Sequence, residues 1–361
     1  MPDTTVKCFL STMNGAPSIT RAAGTILSVL DACLVDGFGS VTLDSLVVSG
    51  DVATGTKSAG HNFAKLGAVG PVIRIAGATP SALNGDWRID TIPNSTTFTF
   101  QTAGISNQTA TGTITAKRAP LGFTKAFSGT NIAAYRSATV GGCQAYLRVD
   151  DTSTQAPVIT GYMTMSDVNT GTDAFPSSAL YLYKIDGTRA SAPWAVFGDD
   201  RSFYISIQTN FNGIWSGGMF FGDLANPVMS SDAFYAGIIG GVSAGNTNLL
   251  DLSNTTNAAL ARSYTQLAGA VSLYRYSHSL VGSVAYPCPV NNGLIFVGAD
   301  AWQSGSLPRG VMPGMYRLLN TYSGIPDMTV YDNVDSAGGR SLMYKLGASN
   351  GAAFDITGPW R

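Results

Sequence analysis

Gly241-Val242-Ser243-Ala244-Gly245 matches the spacing of a nucleophile elbow, G-x-S-x-G. In that motif a serine sits on a tight turn between a strand and a helix, where an imidazole and a carboxylate activate it. Asp251 or Asp300 with His278 would complete the set. The flanks argue otherwise. Asn246-Thr247-Asn248 and Asp251-Leu252-Ser253-Asn254 make a poor helix start, and no alternating α/β pattern surrounds the motif. Residues 241–245 therefore read as a loop, and a serine hydrolase is the function supported least.

A second arrangement, residues 167–173, places oxygen-bearing side chains at Asp167, Asn169 and Asp173, as a calcium loop does. Gly171 falls one place early for an EF-hand, and Ser178 stands where the bidentate Glu belongs. The stretch reads as a polar surface turn, with a bound ion as the alternative. Asp150-Asp151 and Asp199-Asp200 are adjacent carboxylates, but neighbours in a strand point to opposite faces, so neither is a natural dyad. His61 and His278 are the only histidines, which leaves little for imidazole chemistry. Cys8, Cys33, Cys143 and Cys288 form no C-x-x-C pair and read as reduced, buried thiols. No phosphate loop or dinucleotide fingerprint occurs. The sequence thus assigns no catalytic, cofactor-binding or metal-binding residue, and predicts a protein that is not an enzyme.

Composition turns attention from sites to scaffold. Charged residues make up 12% of the 361, about half the usual share. All the acids are Asp; there is no Glu. Glu and Lys populate solvated helix faces, whereas Asp belongs in caps and turns, so a β- and loop-rich chain is expected. A net charge of −1 and no Lys/Arg run argue against nucleic acid. No apolar stretch approaches a membrane span, and the residues after Met1 lack the basic start and apolar run of a signal peptide. Charge depletion is what buried interface cores show, so much of the surface is expected to be covered by copies of the chain or by partner chains.

The pattern predicts a mainly β fold: an antiparallel sandwich or barrel with one short N-terminal helix and an inserted small immunoglobulin-like β module. The expected division is 1–40 and 118–361 for the main domain, with the insertion at 41–117. Trp194-Ala195-Val196-Phe197 and Phe203-Tyr204-Ile205-Ser206-Ile207 flank Gly198-Asp199-Asp200, a hairpin signature. Met219-Phe220-Phe221 adds a third strand to this central meander. Ile26, Leu27, Val29, Leu30, Cys33 and Leu34 lie on one stripe, which predicts a helix over 25–36 with Gly37 as a left-handed cap. In the insertion, Leu46-Val47-Val48, Val72-Ile73-Arg74-Ile75, Trp87-Arg88-Ile89, Thr97-Phe98-Thr99-Phe100 and residues 111–115 read as strands. Their turns are Ser49-Gly50-Asp51, Asn84-Gly85 and Pro93-Asn94-Ser95. Later segments give strands at 123–127, 133–136, 145–150, 271–276, 293–297, 315–319 and 342–346, and a helical turn at 258–266.

Several segments resemble an uncharacterised family of virion proteins from tailed bacteriophages. They are Gly15-Ala16-Pro17 with Ala23-Gly24-Thr25-Ile26 and residues 30–39, residues 75–85 with Thr97-Phe98-Thr99-Phe100, and Phe127-Ser128-Gly129-Thr130-Asn131. Tyr135-Arg136-Ser137, residues 194–204, Phe221-Gly222-Asp223, Leu307-Pro308-Arg309-Gly310, Pro313-Gly314-Met315-Tyr316 and residues 355–361 complete the set. The resemblance implies a structural component of the virion, made in the host cytoplasm. It would act in the tail or baseplate by symmetric self-assembly as a homo-oligomer and by docking other virion proteins. Capsid decoration or neck placement is the rival. A host-surface glycan-binding module, contacting sugars through the inserted sandwich or the aromatic loop at 211–215, is the alternative of a different class.

Overall fold

The structure is a computed structural model. It describes residues 4–67, 69–140, 144–185, 189–207, 217–223, 236–240, 270–277, 280–289, 344–347 and 355–359. Its spine is the predicted meander. Trp194–Gly198 pairs antiparallel with Ser202–Ile207, which pairs with Gly217–Asp223. Asp199 closes the first turn, because its Oδ1 accepts the N–H groups of Arg201 and Ser202. Ala236–Gly240, Ala270–Ser277 and Leu280–Pro289 extend the sheet on one side. On the other, Lys7–Leu10 pairs with Trp194–Gly198, so seven strands result.

A second antiparallel sheet runs in chain order through Phe123–Gly129, Ile132–Ser137, Tyr146–Asp150, Val158–Asp167 and Thr170–Tyr181. Its Tyr135, Leu147, Val149, Ile159 and Phe175 share one apolar core with Trp194, Val196, Phe203 and Ile205 of the first sheet. Two sheets joined through such a core make the expected β-sandwich. Ile26, Leu27, Val29 and Leu30 enter the same core from the helix. The predicted helix is α only over Thr25–Leu30, and Asp31–Asp36 is a π-helix. The wider turn keeps Ala32, Cys33 and Leu34 all buried while Asp31 reaches Tyr135 and Lys125. Gly37 is not the expected left-handed helical cap. Its φ of 74 and ψ of 172 lie elsewhere in glycine territory, and a Cβ there would strike the Arg118 carbonyl.

The third sheet has eight strands, in the order Phe38–Thr42, Thr115–Arg118, Val72–Ala76, Gly85–Asn94, Thr97–Gln101, Val52–Thr56, Ser45–Ser49, Gln108–Thr109. Gly85–Asn94 pairs with Val72–Ala76 through its first half and with Thr97–Gln101 through its second. That division curls the sheet into a half-barrel around its own core, which includes Leu46, Val48, Ile73, Ile75, Phe98 and Phe100. Gly50 and Asp51 both have positive φ, 57 and 62, and form the two-residue turn between Ser49 and Val52. Asn84-Gly85 is not such a turn. Ile75 already pairs with Gly85, and Asn84 instead braces the longer loop by bonding both the N–H and the carbonyl of Ala78. The strand expected at 111–115 also lies later, at Thr115–Arg118. Gly77 and Gly112 pinch the backbone too closely for a regular ladder there, each facing a carbonyl where a Cβ would go.

Each of these three sheets contains one cross-strand glycine–phenylalanine pair: Gly198 with Phe203, Gly161 with Phe175 and Gly55 with Phe98. At Gly161 and Gly55 the partner ring occupies the space a side chain would need. Gly161→Ala would bring a Cβ to 2.5 Å from the Phe175 ring. It is expected to cost about 1–3 kcal/mol, read as a lower urea midpoint by circular dichroism. An unchanged midpoint would mean that the ring moves aside freely.

Candidate functional site

The sequence-proposed residues are not brought together. Ser243, Asp251, His278, Asp300 and the aromatic loop 211–215 lie outside the described residues, as do 258–266, 293–297 and 315–319. Asp167 faces Thr170 across a two-residue hairpin turn, and its carboxylate accepts the Asn169 N–H at 2.7 Å. Arg148 then donates to the Val168 carbonyl and to Asn169, so a cation from the protein already braces this turn. The paired aspartates diverge as expected for adjacent residues. Asp150 bonds Thr152 near the surface while Asp151 is buried; Asp199 is buried in its turn while Asp200 accepts from Thr139. Among the described residues, no group of three His, Cys, Asp or Glu side chains is placed to hold a metal ion. None of their helices is long and apolar enough to cross a membrane.

His61 is 1% exposed and serves as a pin. Nδ1 accepts the Phe63 N–H at 3.0 Å, which places the ring proton on Nε2, facing the Asn94 and Thr97 carbonyls at 3.1 and 3.2 Å. Phe63 and Phe98 enclose the ring. Every nitrogen is used within the curled sheet.

The most concentrated polar chemistry lies where Tyr146–Asp150 ends. Asp151 and Lys184 are both 0% exposed and meet at 2.6 Å. Asp151 Oδ2 accepts the Ile26 N–H at 2.8 Å, and Lys184 Nζ donates to the Ala22 carbonyl at 2.7 Å. The helix needs this help, because Gly24 at its cap has no side chain to accept an orphan N–H. Gly24 N–H also donates to the Asp151 carbonyl. Burial pushes the Asp151 carboxyl above the usual range, with Lys184 and the Ile26 N–H pulling the other way. Sequence reasoning singled out Asp151 but missed Lys184. The signal was there: a lone cation in the apolar run Tyr181-Leu182-Tyr183-Lys184-Ile185 is seldom buried without a partner.

Two further clusters knit the molecule. Tyr135 donates to Asp31 at 2.7 Å, and Lys125 donates to the other oxygen of that carboxylate at 2.6 Å. At the seam between the sandwich and the curled sheet, Lys7 meets Asp86 at 3.2 Å and Arg88 donates to the Val6 carbonyl. Arg118 bonds the carbonyls of Asn14 and Asn62 and lies over the rings of Phe38 and Phe63.

These buried groups set an alkaline limit. Burial pushes the Cys8 and Cys33 thiols above 9.0, and burial plus Asp31 pushes the Tyr135 phenol above 10.0. Once unfolded, each ionises at its ordinary value. Their stabilisation is therefore complete below pH 9.0 and is lost as pH rises past it. Lys7, pulled down by burial, works oppositely in a window that ends at 10.5. The melting temperature is expected to fall from about pH 9 upward, less steeply in Cys33→Ala; identical slopes would sink the assignment to that thiol.

The outer face of the curled sheet is a different kind of candidate. Thr109, Val47, Thr54, Thr99 and Thr91 stand in one cross-strand row, and Ser45, Thr56 and Thr97 in another. Leu46, Val48, Ala53, Phe98 and Phe100 alternate with them and are buried, so these rows face outward. They carry no charge. By contrast, the crevice bordered by Phe123, Ser137, Gln144, Arg201 and Phe221 has no room for a water molecule. No protein-family model matches the chain, and no curated protein matches it either.

Proposed function

We propose that this chain is a structural component of a tailed phage virion, placed in the tail or baseplate, that works by symmetric self-assembly and by docking other virion proteins. In this reading the insertion at 41–117, expected to be immunoglobulin-like, projects or bridges to a neighbour. The observation carrying this reading is the uncharged Thr/Val face of the curled sheet. Charged side chains are what interface cores lack, and a row of short side chains allows close approach of another surface. The 12% charged composition and the resemblance of the segments named above support it. The polar clusters support it too, since they are spent on fixing the scaffold.

Thr54→Lys/Thr99→Lys places two cations in the centre of that face. The unsubstituted chain is expected to size as an oligomer by light scattering, and the double variant as a monomer with unchanged circular dichroism. An unsubstituted chain that stays monomeric at every concentration sinks self-assembly. Placement is tested by protein mass spectrometry of purified particles from a phage encoding the chain, followed by particle reconstruction. Particles that lack it overturn the virion reading.

A further inference from the structure

We propose that Lys184 and Asp151 condense into an amide, an intramolecular cross-link between Nζ and Cγ. The pair is set apart by its surroundings. Lys125 and Asp31 are equally close at 2.6 Å, but their side chains are 32% and 24% exposed. Lys184 and Asp151 are at 0% on both sides. Water, which drives such an equilibrium towards the free acid and amine, is excluded only at the second pair. Holding the two groups in contact also replaces an encounter by an effective concentration of about 10⁵–10⁸ M.

The surrounding groups supply what the step needs, and the protons balance. One hydrogen of the Lys184 ammonium passes across the 2.6 Å contact to Asp151 Oδ1, leaving an amine and a carboxylic acid. The amine lone pair attacks Cγ and the C–N bond forms. The developing negative charge settles on Oδ2, which already faces the Ile26 N–H at 2.8 Å. The Ala22 carbonyl orients the nitrogen at 2.7 Å. A second hydrogen then passes from nitrogen to Oδ1, the Cγ–Oδ1 bond breaks and water leaves. The third hydrogen stays on the amide. No oxidant or cofactor enters. Burial, which raises the Asp151 carboxyl, favours the carboxylic acid at which attack begins.

Intact-mass spectrometry of the full-length chain tests this. The expected result is a mass one water below the sequence mass, with a branched peptide joining Lys184 to Asp151 after proteolysis. Lys184→Arg and Asp151→Ala should each restore the full mass. A full mass in the unsubstituted chain, with the two residues recovered on separate peptides, overturns the proposal. So does a water loss mapped to Asp36 or Asp186, each followed by glycine, because that is cyclisation to a succinimide.

Discussion

Lys184→Met is expected to lower stability by about 3–5 kcal/mol, because it leaves the Asp151 carboxylate buried with no counter-charge. The pair lies at 0% exposure on both sides, so solvent cannot make up the loss. Lys184→Met/Asp151→Asn should be the more stable of the two variants. It removes both charges and keeps an oxygen on residue 151 for the Ile26 N–H. Urea unfolding followed by Trp194 fluorescence reads the difference, since that indole is buried in the same core. A cross-link lowers both variants equally and leaves their order intact. If the single variant equals or exceeds the double one, Lys184 does not neutralise Asp151.

Arg118→Ala is expected to cost about 2–5 kcal/mol, the loss of two charged hydrogen bonds to the Asn14 and Asn62 carbonyls plus the packing of the guanidinium between rings. Phe38 pairs with Arg118, so the chain enters and leaves the curled sheet at this point. Burial pulls the guanidinium down to about 10, which still leaves it charged at neutral pH. Arg118→Lys should recover only part of the loss, because a single ammonium cannot fork between Asn14 and Asn62 while lying flat against Phe38 and Phe63. Besides a lower unfolding midpoint, faster proteolysis within residues 37–39 and 118–122 is expected. Equal proteolysis of all three proteins would remove Arg118 from its place as the clasp.

What could be read from residue types alone follows the range of the forces involved. The meander over 194–223 was legible because apolar runs and Gly-Asp turn chemistry are local, and Tyr146–Asp150 alternates in burial as its sequence does. The Asn94 turn was legible for the same reason, its Oδ1 accepting the Thr96 N–H. Asn84-Gly85 misled because Asn84 spends its side chain on Ala78, a loop contact that outweighs the dipeptide preference. The pairing of Lys7–Leu10 with Trp194–Gly198 and the union of Lys184 with Asp151 carry no local mark. Both depend on where distant segments are delivered. The site was less legible than the fold, since the outward threonine rows exist only after strand pairing brings Thr109, Val47 and Thr99 into line.

The Gly161–Phe175 and Gly55–Phe98 pairs act as teeth in a ratchet. Sliding a strand by one residue turns its faces inside out, so the nearest competing alignment is a slip of two. That slip would set Phe98 against Ala53 or Lys57, and Phe175 against Ile159 or Met163. None of those residues leaves the vacancy a phenyl ring requires. With one tooth in each of these two sheets, strands borrowed from an adjacent molecule during crowded synthesis would seat in a single alignment or be rejected.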